Sequence, residues 1–533
     1  MQVSSEKMDK RVGKQEIREI LAKRFEADSC KKLSDIPSPS LFKDMKKATT
    51  RIVEAISKKQ KIVIVGDYDA DGVISSVILS EFFDDNHIDY ELVIPNRFRD
   101  GYGVSADIVK RVEADLIITV DNGISAVEAG EACQSRGIDL IITDHHSIPD
   151  SVPKAYAVIN PKQSDCNFPN SEICGAQVAW YLVASLKEEL GLEYSLGKFL
   201  DILAIAIVAD MMPLNDINRT MVKSGLKNIN SSNRAFFQAV KDFYRKDSFS
   251  SEDISYLLAP LINSAGRLED ASLASSLIKE KDLNEAYLKL EYIASLNNER
   301  KEIESELFNK ALKSVEKNQK IVIVWGEDWH EGVIGIVAAR LCRKFKVPAI
   351  VFSITDGVAK GSARSVGEID ILEHVTKCSS LLLGFGGHKG AAGMGLDEKN
   401  LEEFKTAMQE SLKEEPDENF KEKKKVLGVL EADEVDLELL EILEYFEPYG
   451  QKNPRPRFVI KDAYVKSHKL LGKDKNHQKI LISSRNGTVD TIDFNFEKKV
   501  SFAENISFTC TVSKNSFRGI VSPQLVVDEL IVD

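Results

Sequence analysis

Nowhere in the 533 residues does an apolar run approach the roughly 20 that a membrane-spanning helix needs; the longest clean one is 202–209. The first 30 residues alternate charged with apolar positions and hold no continuous apolar block, so no secretory signal is expected and a cytoplasmic location is. Cysteine is sparse: seven, an odd number, scattered and without a C-x-x-C pair, which excludes a disulfide framework and gives no support to a thiolate zinc site. Positive charge is also short, with 71 Lys and Arg against 84 Asp and Glu and a net charge of -13. That excludes a surface coated in basic patches for nucleic acid. It leaves room for local basic surfaces, because the acidic residues are concentrated in particular places.

What is present is ordinary globular material, 43% hydrophobic and 29% charged. A chain this long exceeds one core and predicts three or four domains. Its organising stretch is KIVIVGDYDADGV, residues 61–73. Four consecutive Val and Ile residues bounded by Gly66 predict a buried strand, and the apolar series from Val73 predicts a helix. Asp67, Asp69 and Asp71 then fall at the strand-to-helix turn, the end of a parallel sheet where ligands bind. Crowded carboxylates repel one another unless a cation neutralises them, and hard oxygen donors suit Mg²⁺ or Mn²⁺. A solvated Asp-Gly turn is the plain alternative.

Further along, strand-like runs at 91–95, 115–120, 139–143 and 156–160 alternate with helical segments, which predicts βαβ units and a parallel sheet. Asp121 follows the third strand. Asp144, His145 and His146 follow the fourth. Three parallel strands thus deliver metal-capable residues to one sheet edge, and chance rarely does that. Lone histidines are usually satisfied surface or core residues. Two adjacent ones after a buried strand, preceded by an Asp that can fix a tautomer, point to ligation. Asp210, ending the apolar DILAIAIVAD, completes the set; Asp121 is expected to bridge two ions because its strand should lie between the other two contributors.

Residues 211–310 read as helical, with a small-residue turn at 263–266 that would aim Arg267 at an anion. A second α/β pattern begins near 320. Its strongest feature is LLLGFGGHKGAAGMGL, 381–396, where glycines leave backbone amides open to an oxyanion and His388 adds a donor. The stretches holding His330, and Ser362 with Arg364, belong to the same region. Residues 397–447 are acidic and helix-forming, and 446–458 carry three prolines as a linker. Short β-rich runs then predict a small barrel, and residues 453–533 hold 13 Lys and Arg against nine Asp and Glu. Lys466, Lys469, Lys473, Lys475 and Lys479, interleaved with Tyr464, Phe494, Phe496 and Phe517, fit a groove for single strands, although aromatics in a small barrel are commonly core.

GDYDADG, VDNGI, TDHH and the AIVAD segment, in this order, resemble the motifs of the DHH phosphoesterase family, and IPNRFRDGYGVS (94–105) is similar to the matching segment of its single-stranded-DNA exonucleases. The second α/β region resembles the DHHA1 domain that accompanies DHH domains, and the barrel takes the place of their OB-fold. The resemblance implies two α/β lobes joined by a long helical connector and followed by an OB-like barrel. Boundaries are expected at 1–50 (helical arm), 51–245 (DHH), 246–315 (connector), 316–445 (DHHA1) and 446–533 (OB-like). It implies two divalent cations, Mn²⁺ or Mg²⁺, with Asp67 and Asp69 serving mainly one and Asp71, His145 and Asp210 the other. His146 would face the scissile phosphate, and Asp144 would orient the histidine pair. Where many family members carry a histidine, this chain has Val65, and Asp67 is expected to replace it. Arg267, His330, Ser362, Arg364, Gly386, Gly387 and His388 would hold substrate phosphates. The implied activity is a monomeric 5′ to 3′ exonuclease on single-stranded DNA, serving repair and recombination, with a helicase and a single-stranded-DNA-binding protein as candidate partners. The competing expectation is a phosphodiesterase for nanoRNA or cyclic dinucleotides, which would not need the barrel.

Overall fold

A computed structural model describes residues 9–316, 318–421, 425–472, 475–485, 487–496, 498–517 and 519–531; Lys473 and the Phe517 side chain fall outside it. The chain divides into two compact units, Ala22–Asn298 with Phe446–Pro454, and Met1–Leu21 with Glu299–Tyr445 and Arg455–Asp533. Among the described residues no helix is long and apolar enough to cross a membrane.

The first unit is built on five parallel strands: β1 (Ile62–Val65), β2 (Glu91–Val93), β3 (Leu116–Val120), β4 (Asp139–Thr143) and β5 (Ala157–Ile159). Their order is β2-β1-β3-β4-β5, which puts β3 between β1 and β4. Side chains alternate across a strand, and here both faces are covered. Ile62 and Ile64, with Leu116, Ile118, Val120, Ile141 and Ile159, join a core with helices α1 (Met45–Ser57), α2 (Ala70–Asp85), α5 (Gly175–Glu189) and α6 (Leu200–Ala209). Val63, Val65, Ile117, Leu140 and Ile142 pack the other way, on α3 (Ala106–Arg111) and α4 (Val127–Arg136). Each fully buried aliphatic side chain contributes about 1.5–3 kcal/mol. Two-sided burial is why these strands read as unbroken Val/Ile runs.

Beyond the sheet the unit is helical, with α7 (Asp216–Ser231) and α8 (Ala259–Leu268). The expected turn at 263–266 is not there; those residues lie inside α8. Their small size serves close packing instead. A Cβ on Gly266 would stand 2.3 Å from the Tyr68 carbonyl oxygen, and Asn263 Oδ1 accepts the Ala70 N–H at 2.9 Å. α8 therefore braces the first acidic motif. The 31-residue helix α9 (Leu283–Lys313) carries the chain onward.

The second unit holds two sheets. One contains β6 (Val322–Glu327), β7 (Ala349–Thr355), β8 (Val358–Arg364), β9 (Gly384–His388) and β10 (Ala391–Asp397), in the order β6-β7-β8-β10-β9, with α10 (Glu331–Phe345) on it. The glycine-rich stretch forms the antiparallel pair β9–β10. Glycine is required at Gly387, where φ is +152° and a Cβ would stand 2.3 Å from the Ala391 carbonyl oxygen. The other sheet is a closed barrel of β11 (Arg457–Leu471), β12 (His477–Ser484), β13 (Gly487–Asp493), β14 (Asn505–Phe517) and β15 (Ile520–Ile531). Phe458, Val465, Ile480, Ile482, Phe508 and Leu525 fill it, while Tyr464, Phe494 and Phe502 remain exposed.

Candidate metal centre

The sheet's carboxyl edge gathers residues far apart in sequence. Asp69 caps α2: its Oδ1 accepts the N–H groups of Asp71 (2.9 Å) and Gly72 (3.1 Å), which fixes the turn after β1. Gly72 is tightly constrained, since a Cβ there would stand 2.5 Å from that of Asp67. Asp71 points back beneath α5, whose first amides grip both its oxygens, Gly175 N–H at 2.7 Å and Ala176 N–H at 2.9 Å. Asp121 follows β3 with φ at +63°, a conformation that Asp tolerates better than most residues. The neighbouring Asn122 holds that bend. Its amide donates to the carbonyls of Val65, Gly66 and Val120, and its Oδ1 accepts the Val104 N–H.

His145 Nε2 is the meeting point, 3.3 Å from Asp121 Oδ1, 3.5 Å from Asp210 Oδ2 and 3.7 Å from Asp71 Oδ2. These contacts are not ion pairs, because burial pushes the His145 imidazole down to about 3 and keeps it neutral. The carboxyls shift upward. Burial, then the neighbouring Asp69, raises Asp71 to about 6; burial, then Asp71 and Asp69, raises Asp210 to about 8. Asp67 and Asp121 are also held well above the carboxylate range, by burial first and neighbouring carboxylates second.

His146 behaves oppositely. Asp144 Oδ1 accepts its ring Nδ1–H at 2.7 Å and its backbone N–H at 3.0 Å, together with the His145 N–H at 2.7 Å. Asp144 Oδ2 accepts from the Ile124 N–H at 2.9 Å. Burial alone would lower the imidazole, but the Asp144 bond outweighs it and lifts His146 to about 9. Asp144 thus orients the His146 ring and touches only the backbone of His145. Tyr102, which sequence reasoning passed over, stands edge-on to His146 with its hydroxyl 3.4 Å from Nε2.

Whether divalent ions fit is decided by unmet donors. Asp67 Oδ1, Asp121 Oδ1 and Asp210 Oδ2 are buried oxygens with no hydrogen-bond partner, which a native fold rarely tolerates. Ligand atoms of Asp67, Asp69 and Asp121 lie within 4.8 Å of one another, as do those of Asp71, His145 and Asp210. The two oxygen-rich sets adjoin where Asp121 Oδ1 stands 3.3 Å from His145 Nε2, an arrangement that suits a pair of hard cations.

In the second unit, cross-strand register aligns the expected phosphate residues. Arg364 and His388 both face Ala391 of β10, and Ser362 and Gly386 both face Gly393. Residues opposite one another across a ladder share a face, with the outer pair about 10 Å apart. Arg364 Nη1 donates to Ser362 Oγ at 3.1 Å, and a Cβ on Gly335 of α10 would stand 2.9 Å from that oxygen. His330 caps α10, its Nδ1 accepting the Gly332 N–H at 3.1 Å. Arg267 lies in the other unit, in the last turn of α8.

Three domain families match: the DHH family, N-terminal domain, over residues 61–207; the DHHA1 domain over 318–414; and the RecJ OB domain over 428–529. The chain is 31% identical to the single-stranded-DNA-specific exonuclease RecJ of Haemophilus influenzae, covering 93% of this chain and 92% of that one. It is 33% identical to RecJ of Bacillus subtilis, with 94% of this chain aligned but only 65% of the relative's length spanned. The fold superposes on RecJ of Thermus thermophilus in complex with Mn²⁺ with a TM-score of 0.85 at 25% identity, over 99% of this chain and 80% of that one. With all three domains present in this order, the chain belongs to the RecJ branch of the DHH family.

Proposed function

We propose that this protein is a metal-dependent exonuclease that degrades single-stranded DNA from the 5′ end, in DNA repair and recombination. The observation that carries the reading is the convergence of Asp71, Asp121 and Asp210 on one imidazole nitrogen, with buried oxygens that nothing else satisfies. Asp67, Asp69 and Asp121 would hold one divalent cation, and Asp71, His145 and Asp210 the other, with Asp121 shared. When bound, such a pair supplies Lewis-acid polarisation of a phosphodiester and lowers the proton affinity of water for in-line attack.

The chain's own groups do the rest. Asp144 holds the half-exposed His146 as an imidazolium at neutral pH, whose Nε2–H, beside the Tyr102 hydroxyl, would donate to a phosphate or leaving oxygen. Arg364, Ser362, Gly386, Gly387 and His388, with His330 and Arg267, would bind backbone phosphates. The exposed aromatics of the barrel, Tyr464, Phe494 and Phe502, with Lys466 and Lys469 beside Tyr464 in sequence, support a long strand as substrate over a dinucleotide. A cytoplasmic monomer assisted by a helicase and a single-stranded-DNA-binding protein completes the proposal. Timed digestion of 5′- and 3′-labelled single strands and of a blunt duplex, in Mn²⁺, Mg²⁺ or EDTA, tests it. Label should leave the 5′-labelled single strand first, in either metal only; equal digestion of the duplex, or turnover in EDTA, would refute it.

A further inference from the structure

Behind the metal centre, two buried amides join the segments that carry its second ligand set. Gln177, on the first turn of α5, is fully buried, and so is Asn218 on α7. Gln177 Oε1 accepts the Cys174 N–H at 3.0 Å, and its Nε2 donates to Asn218 Oδ1 at 3.0 Å, with Met221 Sδ at 3.2 Å. Asn218 Nδ2 donates to the carbonyls of Glu172 at 2.7 Å and Pro213 at 3.0 Å. The arrangement has only one orientation. Turning either amide would set its oxygen against an acceptor and its NH₂ against a donor.

The two tethered segments are the ones that matter. Residues 172–176 end in the Gly175 and Ala176 amides that grip Asp71. Pro213 lies three residues beyond Asp210, which caps the end of α6. Between them only Met211, which is 69% exposed, and Met212, which packs against the core, intervene. Asp71 and Asp210 approach His145 Nε2 from these two directions. Hydrogen bonds from Asp71 through α5, Gln177 and Asn218 to the Pro213 carbonyl, and then three residues of chain back to Asp210, therefore link the two carboxylates that meet at one candidate ion position.

We infer that Gln177 and Asn218 are positioning residues that set the spacing between Asp71 and Asp210 and so tune affinity for the cation these two share with His145. The inference rests on the metal-site reading above. Partners that orient a ligand typically change metal affinity 10–100-fold when removed. Of the other set only Asp121, against which Gly175 packs, adjoins this path, so that set should change much less.

The test is Mn²⁺ calorimetry on the full chain. For Asn218→Ala, one of two binding events should weaken about 10–100-fold and the other change much less. The Mn²⁺ concentration for half-maximal hydrolysis should rise by the same factor, while kcat in saturating Mn²⁺ recovers to about the wild-type value, a split that simple loss of stability does not produce. Gln177→Met carries the same expectation should Asn218→Ala fail to fold. Asn228→Ala removes a bond from the same helix, to the Gly197 carbonyl at 2.9 Å, and should lower the melting temperature in EDTA without moving the isotherm. Wild-type isotherms for Asn218→Ala and Gln177→Met, beside a weakened Asp210→Asn, would overturn the positioning role. A wild-type isotherm for Asp210→Asn as well would overturn the metal-site reading beneath it.

Discussion

Replacing Asp121 by asparagine should make the metal-free protein more stable. Asp121 is buried, its Oδ1 has no hydrogen-bond partner, and its ligand atom lies within 4.8 Å of those of Asp67 and Asp69. Where pH is high enough to ionise both, two carboxylates at about that distance repel by about 3.5 kcal/mol at an effective dielectric constant of about 20. Removing one charge relieves at least one such pair, and burying an imperfectly bonded amide takes back about 1–3 kcal/mol. The net gain is about 0.5–2.5 kcal/mol, or roughly 1–5 °C in melting temperature, since a unit of this size shifts by about 2 °C per kcal/mol.

The pH dependence fixes the sign. Asp71 and Asp210 titrate near 6 and 8, above the ordinary carboxyl value, so the folded state holds their protons more tightly than the unfolded chain does. The stability this contributes is complete below about pH 4 and is lost as pH rises through 6 and 8. In EDTA, the advantage of Asp121→Asn over the wild type should therefore grow as pH rises from near 5 to 8, because burial and the neighbouring carboxylates hold Asp121, too, well above the carboxylate range. Excess Mn²⁺ should reverse the order, since at about 100 times Kd a site that only the wild type keeps intact adds about 2.7 kcal/mol. Thermal unfolding followed by circular dichroism at both pH values reads both results. An Asp121→Asn protein that melts at or below the wild type in EDTA at pH 8 would show that the carboxylates are not crowded as described.

Asp144→Asn should lower kcat about 10²–10³-fold, because His146 loses the acceptor that holds its imidazolium, while calorimetry shows Mn²⁺ affinity nearly unchanged. Arg364→Ala should raise KM for a long single strand about tenfold or more with a smaller change in kcat, measured under steady-state conditions. Phe494→Ala with Phe502→Ala should weaken binding of a long strand by about 1–3 kcal/mol per lost stacking contact and leave cleavage of a dinucleotide at the wild-type rate, compared by fluorescence anisotropy and product release.

The parallel sheet and the acidic edge were legible because their causes are local in sequence. A strand covered on both faces must be apolar at every position, and the residue that ends it must be polar, so Ile62–Val65 followed by Gly66 and Asp67 announces both. The place of Asp121 followed from strand order alone, since β3 does lie between β1 and β4. Glycine misled at 263–266 for a physical reason. It marks any point where backbone must come close, and the sequence does not say whether the neighbour is the next turn, as expected at 263–266, or a distant carbonyl such as that of Tyr68. The hold on Asp71 was equally hidden: the amides that grip it stand more than a hundred positions away, and every residue has an N–H.

Gln177 lies between these extremes, and its position shows what a sequence can still disclose. α5 begins GAQVAWYLVA, and apart from the aromatic residues, whose polar atoms can be carried at a ring's edge, Gln177 is its only polar side chain over those ten positions. An amide buried without partners costs several times what a hydrogen bond returns, so a helix hydrophobic all round has no reason to keep one unless something distant completes it. The partner could not be named in advance, because Asn218 lies 41 residues away on another helix. That a partner had to exist could be. The same reasoning makes Gln177 and Asn218 interdependent: with either amide gone, the other becomes the unsatisfied group, and the double variant should bind Mn²⁺ no more weakly than the worse of the two single ones.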